Sequence, residues 1–230
     1  MTDLFDPAPH IFAPTSDGRQ FPVRRVFCVG RNYAAHAREM GRDPDREAPF
    51  FFTKWADTVV PDGSVVPYPP QTGNFHYEAE LVVAIGKGGR NIAESDALGH
   101  VWGYATGNDL TRRDLQLAAR ETGRPWDSGK NVEASAPTGL IHPVSLVGHL
   151  ASGAIRLLVN EEVRQDADLL DLIWSVPEII SILSTFWALE PGDLIFTGTP
   201  AGVGPIVTGD VVRVEIEGLT PLTITVGPAA

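Results

Sequence analysis

The pattern of hydrophobic and polar positions along the chain predicts many short strands and few helices. Residues 81–85 form an apolar run rich in branched side chains and ended by Gly86, which is typical of a buried strand. Segments 211–216 and 222–226 alternate apolar and polar positions and predict a closing pair of strands. Apolar positions three and four residues apart over 177–189 predict an amphipathic helix. Strands dominate without a repeating βαβ order, so the expected class is α+β.

No internal repeat or linker interrupts this pattern, so we expect a single domain over residues 1–230. Residues 1–22 are rich in Pro, Asp and Ser and predict a loosely ordered lead-in. The N-terminus lacks the basic-then-apolar order of a signal peptide, and no uninterrupted apolar run reaches the roughly 18 residues of a membrane span. These patterns predict a cytoplasmic protein with no membrane partner.

Charge narrows the range of partners. Acidic residues outnumber basic ones, 29 to 18, and the formal net charge is -11. Broad nucleic-acid binding needs a basic face, so we expect no nucleic-acid partner. Small anionic substrates stay possible, because local cations or a metal can reverse the field. The single cysteine, Cys28, lies in an apolar segment and is expected to be buried and inert.

Two acids stand at the start of the apolar run. Side chains alternate along a strand, so Glu78 and Glu80 are expected on the same side. A solvated strand face is the simpler explanation of that pair alone. Asp109, however, ends a second apolar segment with uncharged neighbours. Three carboxylates are hard oxygen ligands that suit Mg²⁺ or Mn²⁺, so we predict a metal site.

Other residues offer chemistry that such a metal could serve. His36 and Glu39 are three residues apart, and on a helix the carboxylate would orient the imidazole as a base. A surface helix with an incidental pair is the alternative. Lys54 and Lys130 follow apolar or small residues and could stabilise an oxyanion in a pocket, although isolated lysines are usually solvated. The glycine-rich loop 198–204 could aim backbone N–H groups at an anion or be a plain turn.

Five ordered motifs together resemble the fumarylacetoacetate hydrolase superfamily, from about residue 24 to the C-terminus. These motifs are Gly30-Arg31-Asn32-Tyr33 with His36 and Glu39, then Tyr77-Glu78-Ala79-Glu80-Leu81, the segment 107–116, Gly129-Lys130, and the segment 196–204. Segments 21–25, 38–41 and 172–176 make the chain most similar, within that superfamily, to bacterial fumarylpyruvate hydrolases.

The resemblance implies a mixed β-roll fold, strand-rich with a few short helices, and a homodimer. It implies Mg²⁺ or Mn²⁺ held by acids that match Glu78, Glu80 and Asp109. It also implies catalytic roles and substrate contacts: His36, Glu39 and Lys130 would be catalytic, and Arg31, Lys54, Gln116 and Thr199 would contact the substrate.

The implied activity is hydrolysis of a carbon–carbon bond in an acylpyruvate, a small anionic 2-oxo acid. The expected reaction converts 3-fumarylpyruvate to fumarate and pyruvate in gentisate-type aromatic catabolism. Alternatives within the superfamily are oxaloacetate decarboxylation, cleavage of another acylpyruvate, and isomerisation or hydration of a dienoate. A non-catalytic metal-bound binding module is a further alternative.

Overall fold

The computed structural model describes residues 4, 6, 9–33 and 47–229. Strands dominate this part of the chain and the helices are short, which confirms the predicted α+β class. The strands are β1 (Phe12–Pro14), β2 (Gln20–Pro22), β3 (Arg25–Gly30), β4 (Phe50–Lys54), β5 (Val59–Val60), β6 (Val65–Tyr68), β7 (Phe75–Tyr77), β8 (Ala79–Ile85), β9 (Val101–Asn108), β10 (Thr111–Arg112), β11 (Ala136–Pro137), β12 (His142–Pro143), β13 (Ala154–Val159), β14 (Glu162–Asp168), β15 (Asp193–Phe196), β16 (Gly204–Ile206), β17 (Val211–Ile216) and β18 (Leu222–Ala229). The helices are α1 (Arg113–Glu121), α2 (Asp127–Lys130), α3 (Val144–Val147) and α4 (Val176–Phe186), with 3₁₀ turns at Ala56–Thr58, Glu94–His100 and Leu169–Asp171.

A six-stranded sheet in the order β12-β9-β8-β15-β3-β4 forms the centre of the molecule. Its middle strand, β8, is antiparallel to both neighbours, β9 and β15. Odd-numbered residues of β8, such as Leu81 and Val83, belong to the larger hydrophobic core. Even-numbered residues, Val82 and Ala84, belong to a second core on the opposite face. Both faces of the sheet are therefore covered, which explains why this segment is a continuous apolar run.

A five-stranded sheet in the order β14-β13-β17-β18-β6 supplies the other side of the larger core. Strands β17 and β18 pair antiparallel, which confirms the predicted closing pair. Helix α4 packs its apolar face on the same core. It begins with a capping box between Ser175 and Glu178. It ends at Phe186, before the predicted limit of 189, because Trp187 takes an extended backbone conformation and its ring packs beside Phe27.

Two further regions bear on the predictions. Strands β1 and β2 form an antiparallel hairpin that buries Ala13 and Phe21 in the second core. The prediction of a loosely ordered lead-in is therefore wrong for residues 12–22, because those two side chains gain apolar contacts. The sequence also predicts a short helix over residues 31–41, most of which falls outside the described residues. No helix in the described ranges combines the length and the apolar character that crossing a bilayer requires.

Candidate active site

Three acids predicted from the sequence meet in the structure. One carboxylate oxygen from each of Glu78, Glu80 and Asp109 lies within 4.8 Å of the others. The three residues are 5%, 2% and 0% exposed. The convergence that the sequence predicted is therefore present, and the alternative of a solvated strand face for the two glutamates is wrong.

Antiparallel pairing of β8 with β9 brings these acids together. In this register Glu80 lies opposite Gly107, so the start of β8 meets the end of β9. The backbone N–H of Glu78 donates to the side-chain oxygen of Asn108 at 2.9 Å, and the N–H of Asp109 donates to the carbonyl of Glu78 at 2.9 Å. Backbone hydrogen bonds thus fix two of the three acids relative to each other.

The sequence suggested one continuous strand around Glu78, but the structure divides this segment between two strands. Strand β7 ends at Tyr77 and pairs with β10 and β16 in a separate three-stranded sheet. Strand β8 begins at Ala79 and joins the central sheet. Glu78 lies at the junction of the two sheets, because its N–H and carbonyl bond to Asn108 and Asp109 and not to a neighbouring strand in a ladder.

Glu80 occupies the least favourable electrostatic position of the three acids. Burial, followed by the nearby charges of Asp109 and Glu78, raises the pKa of Glu80 well above its ordinary value. One compensating contact comes from the glycine-rich loop, where the backbone N–H of Gly198 donates to Glu80 Oε2 at 2.7 Å. The loop therefore does aim an N–H group at an anion, and that anion is a side chain of the protein.

Lys130 lies directly among the carboxylates. Its ammonium donates to Glu78 Oε2 at 2.8 Å, to Asp109 Oδ2 at 2.7 Å and to the hydroxyl of Thr111 at 2.7 Å. Burial alone would lower the pKa of Lys130, but the charges of Asp109 and Glu78 outweigh burial and raise it. Lys130 is therefore held as a cation at the centre of the site.

Lys54 lies behind the carboxylates and lines neither cavity described below. Its ammonium is 3.0 Å from Asp109 Oδ1 and donates to the Leu110 carbonyl at 3.1 Å, to the Ser135 hydroxyl at 2.9 Å and to the Lys130 carbonyl. The structure does not support the predicted substrate contact, because these protein acceptors already surround the ammonium. Burial lowers the pKa of Lys54, and the charge of Asp109 opposes that effect.

Arg113 is a member of the site that reasoning from the residues did not single out. Its guanidinium donates to Glu78 Oε1 and, at 2.7 Å, to Gln116 Oε1. Its Nε–H points at His76 Nδ1 across 3.4 Å, and the other ring nitrogen of His76 is 2.8 Å from Asn74 Oδ1. The available signal was the spacing of three residues between Arg113 and Gln116, which places both on one face of a helix.

Gln165 is a second residue that the sequence did not reveal. It is buried on β14, in the other large sheet. Its amide donates to the hydroxyl of Thr199 at 2.9 Å and to the Pro200 carbonyl at 2.8 Å, while its oxygen accepts from the Ala79 N–H at 2.9 Å. It therefore orients Thr199 beside β8. Nothing in the local pattern of β14 distinguished it.

Glu78 and Glu80 border a small inner cavity that adjoins a larger outer one. The inner one has a volume of about 30 Å³ and the outer one about 760 Å³. Residues that line both are Arg31, Phe52, Arg120, Trp126 and Lys130. The inner cavity is also lined by Glu78, Glu80, Arg113, Gln116 and Thr199. The predicted substrate contacts Arg31, Gln116 and Thr199 thus surround the carboxylates, whereas the predicted pair His36 and Glu39 lies outside the described residues.

The chemistry of this donor set fits a divalent cation. Three hard oxygen donors converge, and two of them, from Glu78 and Glu80, face the inner cavity. The third donor, Asp109, is buried beside them, with its Oδ1 3.0 Å from the Lys54 ammonium. A network of purely structural ion pairs would have no need to border a cavity. The fold and the site thus define an enzyme-like α+β protein with a buried carboxylate cluster at the base of a pocket.

The chain belongs to the fumarylacetoacetate hydrolase family: the family model described as "Fumarylacetoacetate (FAA) hydrolase C-terminal" matches residues 25–227. It is 50% identical over 192 residues to a fumarylpyruvate hydrolase from Ralstonia sp, a match that covers 83% of this chain and all of that protein. It is 39% identical over 203 residues to the human mitochondrial oxaloacetate tautomerase FAHD1, covering 88% of this chain and 91% of the relative.

A solved structure extends the similarity to three dimensions. Fumarylpyruvate hydrolase from Pseudomonas aeruginosa, crystallised in complex with Mn²⁺ and pyruvate, is 54% identical to this chain. The two superimpose with a TM-score of 0.97, and the match covers 99% of this chain and 100% of that one. These findings confirm the resemblance inferred from the five motifs and the predicted fold.

Proposed function

We propose that this protein is a metal-dependent hydrolase that cleaves a carbon–carbon bond in an acylpyruvate, converting 3-fumarylpyruvate and water to fumarate and pyruvate. The observation that carries the proposal is the buried cluster of Glu78, Glu80 and Asp109 at the base of a cavity. This cluster occurs in a chain that is 50% and 54% identical to two fumarylpyruvate hydrolases.

Glu78, Glu80 and Asp109 would hold Mg²⁺ or Mn²⁺. A divalent cation in this place supplies Lewis acidity, which stabilises negative charge on the 2-oxo acid part of the substrate. The related Pseudomonas aeruginosa enzyme was crystallised with Mn²⁺ and pyruvate, which supports both the ion and the class of ligand. Arg113, which contacts Glu78, and Lys130, which contacts Glu78 and Asp109, would keep those two carboxylates oriented.

Other residues of this chain would bind the substrate and transfer protons. Arg31, Gln116 and Thr199 line the inner cavity and would bind the oxygen atoms of the substrate. His36, oriented by Glu39, would take a proton from water, and the resulting hydroxide would add to the distal carbonyl. Lys130 also lines the cavity and would stabilise the oxyanion. The carbon–carbon bond then breaks, the acyl part leaves as the acid, and the enolate of pyruvate takes up a proton.

A second candidate reaction is supported by the 39% identity to the human oxaloacetate tautomerase. Oxaloacetate is also a 2-oxo acid, and moving a proton between its carbon and its enol oxygen needs the same carboxylate cluster and a base. Decarboxylation of oxaloacetate belongs to the same group of reactions, because it too produces the enolate of a 2-oxo acid.

One assay separates these reactions. Purified protein with Mn²⁺ or Mg²⁺ is mixed with 3-fumarylpyruvate, acetylpyruvate or oxaloacetate, and the ultraviolet absorbance of each substrate is followed. We expect rapid loss of 3-fumarylpyruvate with fumarate and pyruvate as products. Glu80→Gln should abolish this turnover. Turnover of oxaloacetate alone would replace the proposed function by the second candidate, and no turnover of any 2-oxo acid would favour a binding module.

We further propose one catalytic domain over residues 1–230, assembly as a homodimer, a cytoplasmic location and a role in aromatic catabolism. Support for these points comes from the similarity to fumarylpyruvate hydrolases. The homodimer has a second support in exposed aromatic side chains near the β4 edge of the central sheet, Phe50, Phe186 and Trp187. Analytical ultracentrifugation of the purified protein tests it, and a single species of about 25 kDa would refute it.

A further inference from the structure

One face of helix α1 leads from the carboxylate cluster to the outer cavity. Arg113, Gln116 and Arg120 are spaced by three and four residues, so they share that face. All three line the inner cavity, and Arg120 alone of the three also lines the outer one. A helix rises about 1.5 Å per residue, so the backbone positions of Arg113 and Arg120 are about 10 Å apart along the axis.

Among the described residues, Arg120 differs from Arg113 in having no acidic partner. Arg113 is paired with Glu78. Arg120 is partly buried and, within the described ranges, its guanidinium forms neither an ion pair nor a side-chain hydrogen bond. The acids Glu47 and Asp127 also line the outer cavity, but neither forms an ion pair with Arg120. A planar guanidinium with free donors at the edge of a cavity is suited to binding a carboxylate through two parallel hydrogen bonds.

The walls between the carboxylate cluster and the outer cavity are aromatic. The Trp126 ring lies 4.8 Å from the Phe50 ring and 5.8 Å from the Phe52 ring, measured between centroids. Phe52 in turn lies under the Lys130 ammonium, 4.9 Å from its ring centroid. A flat unsaturated carbon chain would pack well against such a surface, and a charged group at its end would need one of the guanidinium groups that line the outer cavity, Arg31, Arg120 or Arg124. Of these, Arg124 is exposed, whereas Arg120 lies on the α1 face that also borders the carboxylates.

We propose that Arg120 binds a carboxylate at the far end of the acyl group and thereby selects acylpyruvates derived from dicarboxylic acids. This inference rests on the proposed function, because it takes the pyruvyl end of the substrate to lie at the carboxylate cluster. The two carboxyl carbons of 3-fumarylpyruvate are joined by six carbon–carbon bonds of about 1.5 Å, which span about 7 to 8 Å when extended. That length is about 2 to 3 Å shorter than the backbone separation of Arg113 and Arg120, a difference that an arginine side chain can span.

The test compares two substrates that differ at one end only. Crotonylpyruvate has a methyl group where 3-fumarylpyruvate has its distal carboxylate. Wild type, Arg120→Gln, Arg120→Lys and the control Arg90→Gln are assayed with both substrates in the presence of Mn²⁺. Arg90 is exposed, has no acidic partner among the described residues and lines neither cavity, so the control removes the same charge at a distance.

For Arg120→Gln we expect kcat/KM for 3-fumarylpyruvate to fall about 10- to 100-fold, mainly through KM, because a charged hydrogen-bond pair is lost. With crotonylpyruvate the same variant should stay within about twofold of wild type, since that substrate never made the contact. For Arg120→Lys, kcat/KM with 3-fumarylpyruvate should lie between the values of wild type and Arg120→Gln, because lysine keeps the positive charge but cannot donate two parallel hydrogen bonds. Arg90→Gln should match wild type with both substrates.

Three outcomes would overturn the inference. If Arg120→Gln lowers kcat/KM equally with both substrates, Arg120 supports the structure of the site and does not bind the distal carboxylate. Unchanged kinetics of Arg120→Gln with 3-fumarylpyruvate would refute the contact while leaving the proposed function intact. A wild-type protein that cleaves neither substrate would refute the proposed function itself, and the inference with it. Circular dichroism of each variant checks that a loss of activity is not a loss of fold.

Discussion

Replacing Lys54 by methionine distinguishes a supporting role for this lysine from the substrate contact that the sequence had predicted. The change removes an ammonium that is fully buried, 3.0 Å from Asp109 Oδ1, and bonded to three other oxygen atoms. Removing one partner of a buried ion pair costs about 3–5 kcal/mol when the other charge is left without compensation. Asp109 keeps the Lys130 ammonium at its Oδ2, so we expect the lower end of that range, about 3 kcal/mol. For a chain of this size that corresponds to a fall in Tm of roughly 10 °C.

Thermal unfolding followed by circular dichroism measures this effect, with and without added Mn²⁺. We expect the loss of stability in metal-free Lys54→Met to be partly restored by Mn²⁺, because the ion supplies positive charge to Asp109 in place of the ammonium. Lys87→Met serves as the control. Lys87 is exposed, so its replacement should change the free energy of unfolding by no more than about 0.5 kcal/mol.

One result would refute this reasoning. If Lys54→Met unfolds at the wild-type temperature and shows only a raised KM, Lys54 contacts the substrate as the sequence had suggested, and the ion pair with Asp109 contributes nothing measurable. A fall in Tm with unchanged KM for the folded fraction would establish the supporting role.

Three further predictions concern the metal, the glycine loop and the base. Burial and the charges of Asp109 and Glu78 raise the pKa of Glu80, so protons compete with the ion for this carboxylate more strongly than for an ordinary one. The apparent Kd for Mn²⁺ should therefore tighten as pH rises; calorimetric titration at several pH values measures this, and a Kd that does not change with pH would contradict it. Gly198→Ala should destabilise the protein by about 2 kcal/mol and lower turnover, since Gly198 has φ 98° and an added Cβ would lie 2.8 Å from the Asn32 Cβ. Urea unfolding measures this loss against the control Gly218→Ala, where φ is 83° and no atom lies within 4 Å of the added Cβ. Equal losses of stability in the two variants would exclude the contact with Asn32 as the cause. His36→Ala should reduce turnover strongly while Mn²⁺ affinity stays near the wild-type value, and normal turnover would rule out His36 as the base.

The sequence was informative where burial and charge conflict. Glu78 and Glu80 lie beside a continuous apolar run, and Asp109 ends another apolar segment. Burying all three carboxylates costs much free energy unless cations are near them, so their convergence could be predicted. The closing pair of strands could be predicted for a related reason, because apolar alternation in β17 and β18 specifies one buried face.

The sequence was uninformative where a side chain reaches across the fold. Lys54 and Lys130 have similar local settings, yet one lies behind Asp109 and the other borders both cavities. Which side of a strand or turn a lysine takes depends on the neighbouring elements. Asn32 is a similar case. Its position suits a cap for the helix that the sequence predicts over residues 31–41, but its side chain bonds to the Thr197 carbonyl and to both the N–H and the carbonyl of Trp174. Such partners are more than a hundred residues away in sequence and leave no local pattern.

The pairing of β8 with β9 makes correct folding and construction of the site a single event. A shift of this pairing by one residue would turn Leu81 toward the cavity and Glu80 into the larger core, because successive side chains of a strand point to opposite faces. The apolar residues that stabilise the central sheet therefore also fix the positions of the carboxylates, because only the correct register buries them. A chain that has folded with its core intact has already arranged its acidic residues, before any ion is available to organise them.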